Sequence, residues 1–205
     1  MKLLMITRKV DRTDHLAGFI YQWVKKLGER VEELRVISWQ EGDSSGLPAN
    51  IKVWHLPTNQ NALLKVGKLK RLVWQNAKEV DGIFYHQNPE YVLATALLAK
   101  ILKKKLVFWY AHGSVSWRLK LAEKLVDVMV SSSKEGLRLN SKKLVVVGQG
   151  IDTQNFKPGL KKNDNVLRLI TVGRISPTKD YESMIKAVDL LVDQGFKNLN
   201  LHIIG

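Results

Sequence analysis

The chain has 205 residues, no cysteine, and 33 Lys and Arg against 19 Asp and Glu, for a net charge of +14. The missing cysteines exclude disulfides and thiolate metal sites, and no apolar run approaches the roughly 20 residues of a membrane-spanning helix. With 45% hydrophobic and 25% charged residues the composition is that of a globular protein, and its basic excess suits a polyanionic partner or a solvated, mutually repelling surface.

Residues 2–7, KLLMIT, read as a buried first strand, and an apolar stretch this short behind Met1-Lys2 does not make a secretory leader. After the loop RKVDRTDHLAG, the residues Leu16, Phe19, Ile20, Trp23, Val24 and Leu27 recur at helical spacing, which predicts a helix from about His15 to Leu27. Strand-like VEELRVIS follows, then a loop, QEGDSSGLPAN, and a strand that breaks at Pro57. Residues 61–78 form a basic amphipathic helix in which Lys65, Lys68, Lys70, Arg71 and Lys78 alternate with Leu63, Leu64, Val66, Leu69, Leu72, Val73 and Trp74. Such a helix either covers a sheet or lies on an anionic membrane, with Lys103-Lys104-Lys105 adding to the basic patch.

GIFYH (82–86) is a short strand closed by the polar QNPE, and Pro89 suits the first turn of a helix reaching about Leu102. LVFWYA (106–111) is a strand ending at His112-Gly113. A helix from about Ser116 to Leu125, a strand VDVMVS, a short helix near Lys134–Arg138 and a strand KLVVV (143–147) complete this part. Short apolar strands alternating with helices predict an α/β fold, a doubly wound parallel sheet with helices on both faces. No G-x-G-x-x-G follows the first strand, which argues against a dinucleotide enzyme. Phe108, Trp109 and Tyr110 belong to a buried strand and not to a stacking platform, which argues against nucleic acid.

From Gly148 to Asn165 the texture turns to Gly, Asn, Asp, Lys and Pro, a connector. One β-α-β unit follows: LRLITVG, TKDYESMIKAVDLLVDQG and NLNLHIIG. In LITVGRISPTKDY, Gly173, Arg174 and Lys179 stand between a strand end and a helix predicted from about Thr178. Free N–H groups and the positive dipole end of that helix, with two cations beside it, suit a diphosphate. Equally, the two cations suit local ion pairs with Asp180 and Glu182.

V-G-R-I-S-P-T-K followed by an amphipathic helix resembles the opening of the C-terminal domain of the GT-B retaining glycosyltransferases of the GT4, or group 1, family. Four further stretches are similar to that family in the same order: HLAGFIYQWVKKL, AHG (111–113), VDVMVSSSKE with Asp127 and Ser133, and GQGID-TQNFKP (148–158). The chain departs from the pattern in keeping one glycine, Gly18, of the usual pair in the first turn, in Gln149 for Asn, and in Asp180 where Gly is common.

The resemblance implies a Rossmann-like acceptor-side domain over residues 1–158, then a connector and the first β-α-β of a nucleotide-sugar-binding domain over 159–205. It implies transfer of a hexose from a UDP- or GDP-sugar to a glycan or lipid-linked acceptor. Arg174, Lys179, Gly173 and Gly18 would take the donor diphosphate, and His112 would reach the transfer centre. His15, His86 and Asn88 are candidates for the acceptor side, although Asn88 also suits capping the next helix. Gly18 equally suits close helix–sheet packing. No metal or other cofactor is implied, and the location implied is cytoplasmic or peripheral to the membrane through Lys65, Lys68, Lys70 and Arg71. The family's later G-[DE]-G-P turn and Glu-x7-Glu motif do not occur within the 205 residues, so the chain alone is expected to be inactive.

Overall fold

The computed structural model describes residues 1–15, 18–154, 156–159 and 164–205. Leu16 and Ala17, expected at the head of the first helix, and Asn155 of the connector lie outside the described residues. The chain divides into two compact units, Met1–Gly150 and Ile151–Gly205, so residues 151–158 cluster with the second unit and not the first.

The first unit is built on seven strands: β1 (Lys2–Lys9), β2 (Glu33–Gln40), β3 (Ile51–His55), β4 (Gly82–His86), β5 (Lys105–Trp109), β6 (Val128–Ser131) and β7 (Leu144–Val146). All pair in parallel, in the order β3-β2-β1-β4-β5-β6-β7. The helices are α1 (Gly18–Gly28), α2 (Ala62–Ala77), α3 (Pro89–Ile101) and α4 (Trp117–Leu125).

Side chains two apart on a strand share a face, and here the two faces feed separate cores. Leu4, Ile6, Ile37, Ile83, Tyr85, Leu106 and Phe108 pack under α2, α3 and α4 through Leu69, Val73, Tyr91, Val92 and Leu119. Met5, Leu34 and Val36 pack instead under α1 through Ile20, Tyr21 and Val24. Burial on both faces is why these strands read as continuous apolar runs and not as alternating ones.

Polar residues tie the layers together where the apolar ones stop. Arg35, on β2, is buried and joins Glu33 and Glu79 while reaching the Asn76 carbonyl near the end of α2. The Lys104 ammonium donates to the Val80 carbonyl at 2.7 Å, holding the chain beyond α2. Asp127, singled out by its motif, accepts the Leu106 N–H at 2.8 Å and thereby aligns β5 with β6.

Three predicted boundaries differ from the structure. Among the described residues the first helix runs from Gly18, and His15 lies in a turn: Asp11 accepts both the Thr13 N–H and hydroxyl, and Lys9 bridges Asp11 and Asp14 at 2.8 and 2.7 Å. Residues 134–138 form turns rather than a helix. There the Ser133 hydroxyl accepts the Gly136 N–H at 2.9 Å, a local bond that competes with helical pairing. The last helix starts at Tyr181 and not Thr178, because Asp180 in the left-handed region separates it from a 3-10 turn.

The second unit is the parallel pair β8 (Leu167–Val172) and β9 (Leu199–Ile204), joined through a 3-10 turn at Pro177–Lys179 and the helix α5 (Tyr181–Asp193). None of its described residues is buried, and Ile170 and Val172 are about two-thirds exposed on the strand itself. A pair of strands with one helix gains too little apolar burial to match the first unit.

Two outcomes follow. Phe108→Ala should lower the unfolding free energy by about 3–5 kcal/mol, as for other fully buried aromatics, read from urea denaturation. Amide exchange in β8, α5 and β9 should be complete while β1, β4 and β5 remain protected. Equal protection in the two units would contradict this account of burial.

Candidate functional site

The carboxyl ends of parallel strands are where doubly wound folds present chemistry, above all where the strand order reverses. In the first unit that point lies between β1 and β4. The helix after β1 packs on one face of the sheet and the helix after β4 on the other.

His86 is the last residue of β4 and is 1% exposed. Its Nδ1 lies 3.0 Å from the hydroxyl of Thr7 on β1, which is also buried. Its Nε2 is enclosed and has no hydrogen-bond partner among the described residues. Phe19 and Trp23 of α1 stack around the ring at 6.4 and 5.3 Å between centroids, and Trp109 backs Trp23 at 4.9 Å. Burial pushes the His86 imidazole down to about 4, so at neutral pH it is an uncharged ring with one unspent nitrogen.

The strand end turns sharply after His86, with Gln87 in the left-handed region at φ 69°. Asn88 occupies the cap position of α3, as anticipated, but its side chain does not accept a backbone N–H. It donates instead to the Tyr91 hydroxyl at 2.8 Å. Beyond β5, Tyr110 and His112 meet edge to face at 6.3 Å, and with Gln87, Asn88 and Ser116 they line a hollow of about 270 Å³. The Ser114 N–H donates to His112 Nδ1 at 3.1 Å. That bond fixes the neutral tautomer with its proton on Nε2, a donor on an exposed ring.

His15 is exposed on the turn ahead of α1. Gly18 is the first residue of α1, and a Cβ built there meets nothing within 4 Å. Close packing against the sheet is therefore not what calls for glycine at this position.

In the second unit, Gly173 follows β8, its N–H donating to Ile204 at 2.9 Å, while the Tyr181 hydroxyl donates to the Gly173 carbonyl at 2.6 Å. The two nearby acids are otherwise engaged. Asp180 accepts the Ser183 N–H at the head of α5, and Glu182 pairs with Lys186 at 3.1 Å. The side chains of Arg174 and Lys179 have no ion-pair or hydrogen-bond partner among the described residues. Asp180 also explains the late helix start: it sits in the left-handed region at φ 49°, a kink between the 3-10 turn and α5. Glycine adopts that conformation freely and Asp is one of the few other residues to visit it. Because the Asp180 carboxylate partly fills the helix N-terminus, the cations and not the helix dipole are the main anion-attracting feature here.

Along α2, Lys68, Lys70 and Arg71 are exposed as expected, but Lys65 is not. Lys65 stands one turn before Leu69 and two before Val73, in phase with the buried stripe, and is 5% exposed. Its ammonium lies 4.6 Å from the centre of the Trp39 ring. It is thus no part of an outward basic face, which instead mixes Lys68, Lys70 and Arg71 with Leu63, Leu64 and Trp74.

Sequence reasoning missed one feature. Arg8, Trp39, Gln40, Val66, Asn88 and Tyr91 are among the residues that enclose a hollow of about 470 Å³ beside the ends of β1 and β2. The signal was there, since Trp39-Gln40 is a bulky aromatic and an amide at a strand end. Among the described residues no group of three or more His, Asp or Glu is placed to hold a metal. No described helix is long and apolar enough to cross a membrane.

No family model matches the sequence, and no curated protein sequence matches it either. Solved structures do. The structure of Anabaena HepE in complex with UDP-glucose aligns with a TM-score of 0.67 at 18% identity, covering 99% of this chain and 60% of that one. Acinetobacter baumannii MurG aligns at 0.59 with 14% identity over all of this chain and 66% of its own. UDP-GlcNAc 2-epimerase from Methanocaldococcus jannaschii aligns at 0.57 with 12% identity over 98% and 65%. The chain thus spans about three-fifths of the length of HepE. At these identities the likeness shows the fold, which is of GT-B type: a Rossmann-like doubly wound unit with the opening β-α-β of a second.

The buried imidazole makes a pH prediction. Its folded pKa lies below the ordinary histidine value, so protonation favours the unfolded chain. Its contribution should be whole above pH about 6.5 and fall by about 2–3 kcal/mol on approach to pH 4.5. Chemical denaturation across that window should show the slope in the wild type and lose most of it in His86→Gln. An unchanged slope in the variant would assign it to other groups.

Proposed function

We propose that the protein acts in glycosyl transfer from a nucleotide-sugar, the second unit holding the donor diphosphate and the first serving the acceptor. The observation that carries this reading is the pair Arg174 and Lys179. Both stand at a parallel-strand end, and their carboxylate neighbours are committed elsewhere. HepE, whose structures contain UDP-glucose or UDP, has the same fold, which favours a diphosphate over other anions.

Chemically, an Arg fork and a Lys point charge suit the charge that grows on a departing nucleoside diphosphate. In a retaining, front-face transfer the bond from the sugar anomeric carbon to the phosphate oxygen breaks as the acceptor oxygen bonds on the same face. The acceptor proton passes to the leaving phosphate, so no protein nucleophile is required. His112, with Nε2–H outward, would orient a sugar or acceptor hydroxyl. A hexose donor, the GT4 relationship, a glycan or lipid-linked acceptor and freedom from metal belong to this proposal.

In the complete protein, Arg174→Ala and Lys179→Ala should each lower transfer from UDP- or GDP-sugar by on the order of 10²-fold, as loss of a transition-state donor does. Product analysis separates transfer from hydrolysis and epimerisation. Full turnover in both variants would remove the diphosphate assignment. Gly18→Ala should leave thermal stability unchanged, since its methyl group enters open space, so a loss of donor affinity there would mark backbone approach by the ligand.

A second reading, attachment to an anionic membrane, is favoured by α2. Leu63 and Leu64 are 81% and 63% exposed on a surface shared with Lys68, Lys70 and Arg71. Liposome binding should weaken with salt and with charge removal at those three residues. Equal binding to neutral and anionic vesicles would contradict it.

A further inference from the structure

The hollows of about 470 and 270 Å³ meet at the head of α3, where Asn88 and Glu90 line both. On one side of that junction lie Trp39 and Gln40 at the end of β2 and Arg8 near the end of β1. On the other lie Tyr110 and His112 beyond β5. With the strands in the order β2-β1-β4-β5, the two hollows together cross three strand spacings, about 14 Å, which is longer than a single sugar ring. Each has an aromatic wall, Trp39 and Tyr91 at 5.6 Å in the larger and Tyr110 and His112 at 6.3 Å in the smaller. Gln40, Gln87 and Asn88 add flat amides. Among the described lining residues the formal charges are one of each sign: Arg8, with no ion pair or hydrogen bond among them, and Glu90, paired with Arg118 at 3.6 Å.

Asn88, at the junction, behaves unlike an ordinary helix cap. It holds the cap position of α3 but makes no side-chain bond to the backbone there, the bond that favours Asn at such positions. Its amide donates instead to the Tyr91 hydroxyl at 2.8 Å, and its side-chain oxygen has no partner among the described residues. The Tyr91 hydroxyl in turn keeps its own proton, because burial pushes it up to about 12, and that proton has no acceptor among the described residues. An unspent acceptor and an unspent donor on bonded neighbours match the double role of a sugar hydroxyl, which both donates and accepts.

We propose that the two hollows are one groove and that it binds an uncharged oligosaccharide, one ring against Trp39 and Tyr91, another against Tyr110 beside His112, and Asn88 between them. Flat aromatic faces suit the C–H face of a sugar, planar amides suit its hydroxyls, and balanced charge favours a neutral chain over an anionic one. Assigning that chain to the acceptor rests on the transferase reading; the binding itself does not.

The 205-residue chain is applied to an array of neutral and acidic oligosaccharides, and the neutral trisaccharide retained most strongly is titrated by NMR, read at the Trp39 indole N–H and the His112 ring. Dihexanoyl phosphatidylglycerol is titrated beside it as an anionic lipid. The trisaccharide should shift both signals and bind at least about tenfold more tightly than its own terminal monosaccharide. Asn88→Ala should weaken it by about fivefold or more and leave Tm unchanged, because no cap bond is lost. Arg8→Met, at an exposed position, should weaken it without altering the fold. Retention of acidic glycans alone or of none, a trisaccharide that binds no better than its monosaccharide, or a shift at one signal only would overturn the proposal. So would the lipid shifting both signals at lower concentration than any glycan, or a lower Tm in Asn88→Ala with affinity intact. Should the trisaccharide bind in this way while the complete protein transfers nothing, the groove stands and the transferase reading falls. Transfer to a monosaccharide as fast as to the trisaccharide, with the Trp39 signal unmoved, would do the reverse.

Discussion

Strand β1 is covered on both faces, with Leu4 and Ile6 under one set of helices and Met5 under α1. A sheet enclosed in this way has no free face for chemistry, and its polar residues are confined to the strand ends. Thr7 and His86 lie near the ends of two adjacent strands, Gln87 and His112 in the turns beyond β4 and β5, and Trp39-Gln40 at the end of β2. The hydrophobic layering thus selects which dozen or so side chains can meet a ligand, and the turns decide how each one points.

Different constraints govern the two units. In the first, burial is deep enough to hold a neutral histidine, and a lysine with no anionic partner among the described residues, against their solvation cost. In the second, every described residue keeps some exposure, and the candidate anion site is made of surface cations beside a pinned turn. A diphosphate suits such a site, since it brings its own charge and needs no prior desolvation of the protein. The basic excess of the chain suits attraction of an anion to such surface cations.

Much of the architecture was legible because parallel strands buried on both faces leave continuous apolar runs, and Pro89, Asn61 and Ser116 mark helix starts. Lys65 was misplaced by counting charges on α2 instead of following the phase of Leu69 and Val73. The late start of α5 was hidden because a left-handed Asp180 does the work that glycine advertises more openly. The environment of His86 was beyond the sequence altogether. It is assembled by β1, α1, β4 and β5, and only the strand order brings Thr7, Trp23 and Trp109 to one ring.

The central claim, a diphosphate site at Gly173–Lys179, is tested most directly by NMR of the Arg174 Nε–H and Lys179 ammonium resonances during titration with UDP and with uridine. The account predicts that UDP shifts both and that uridine, lacking the diphosphate, shifts neither. Saturable UDP binding that leaves both resonances in place would contradict it.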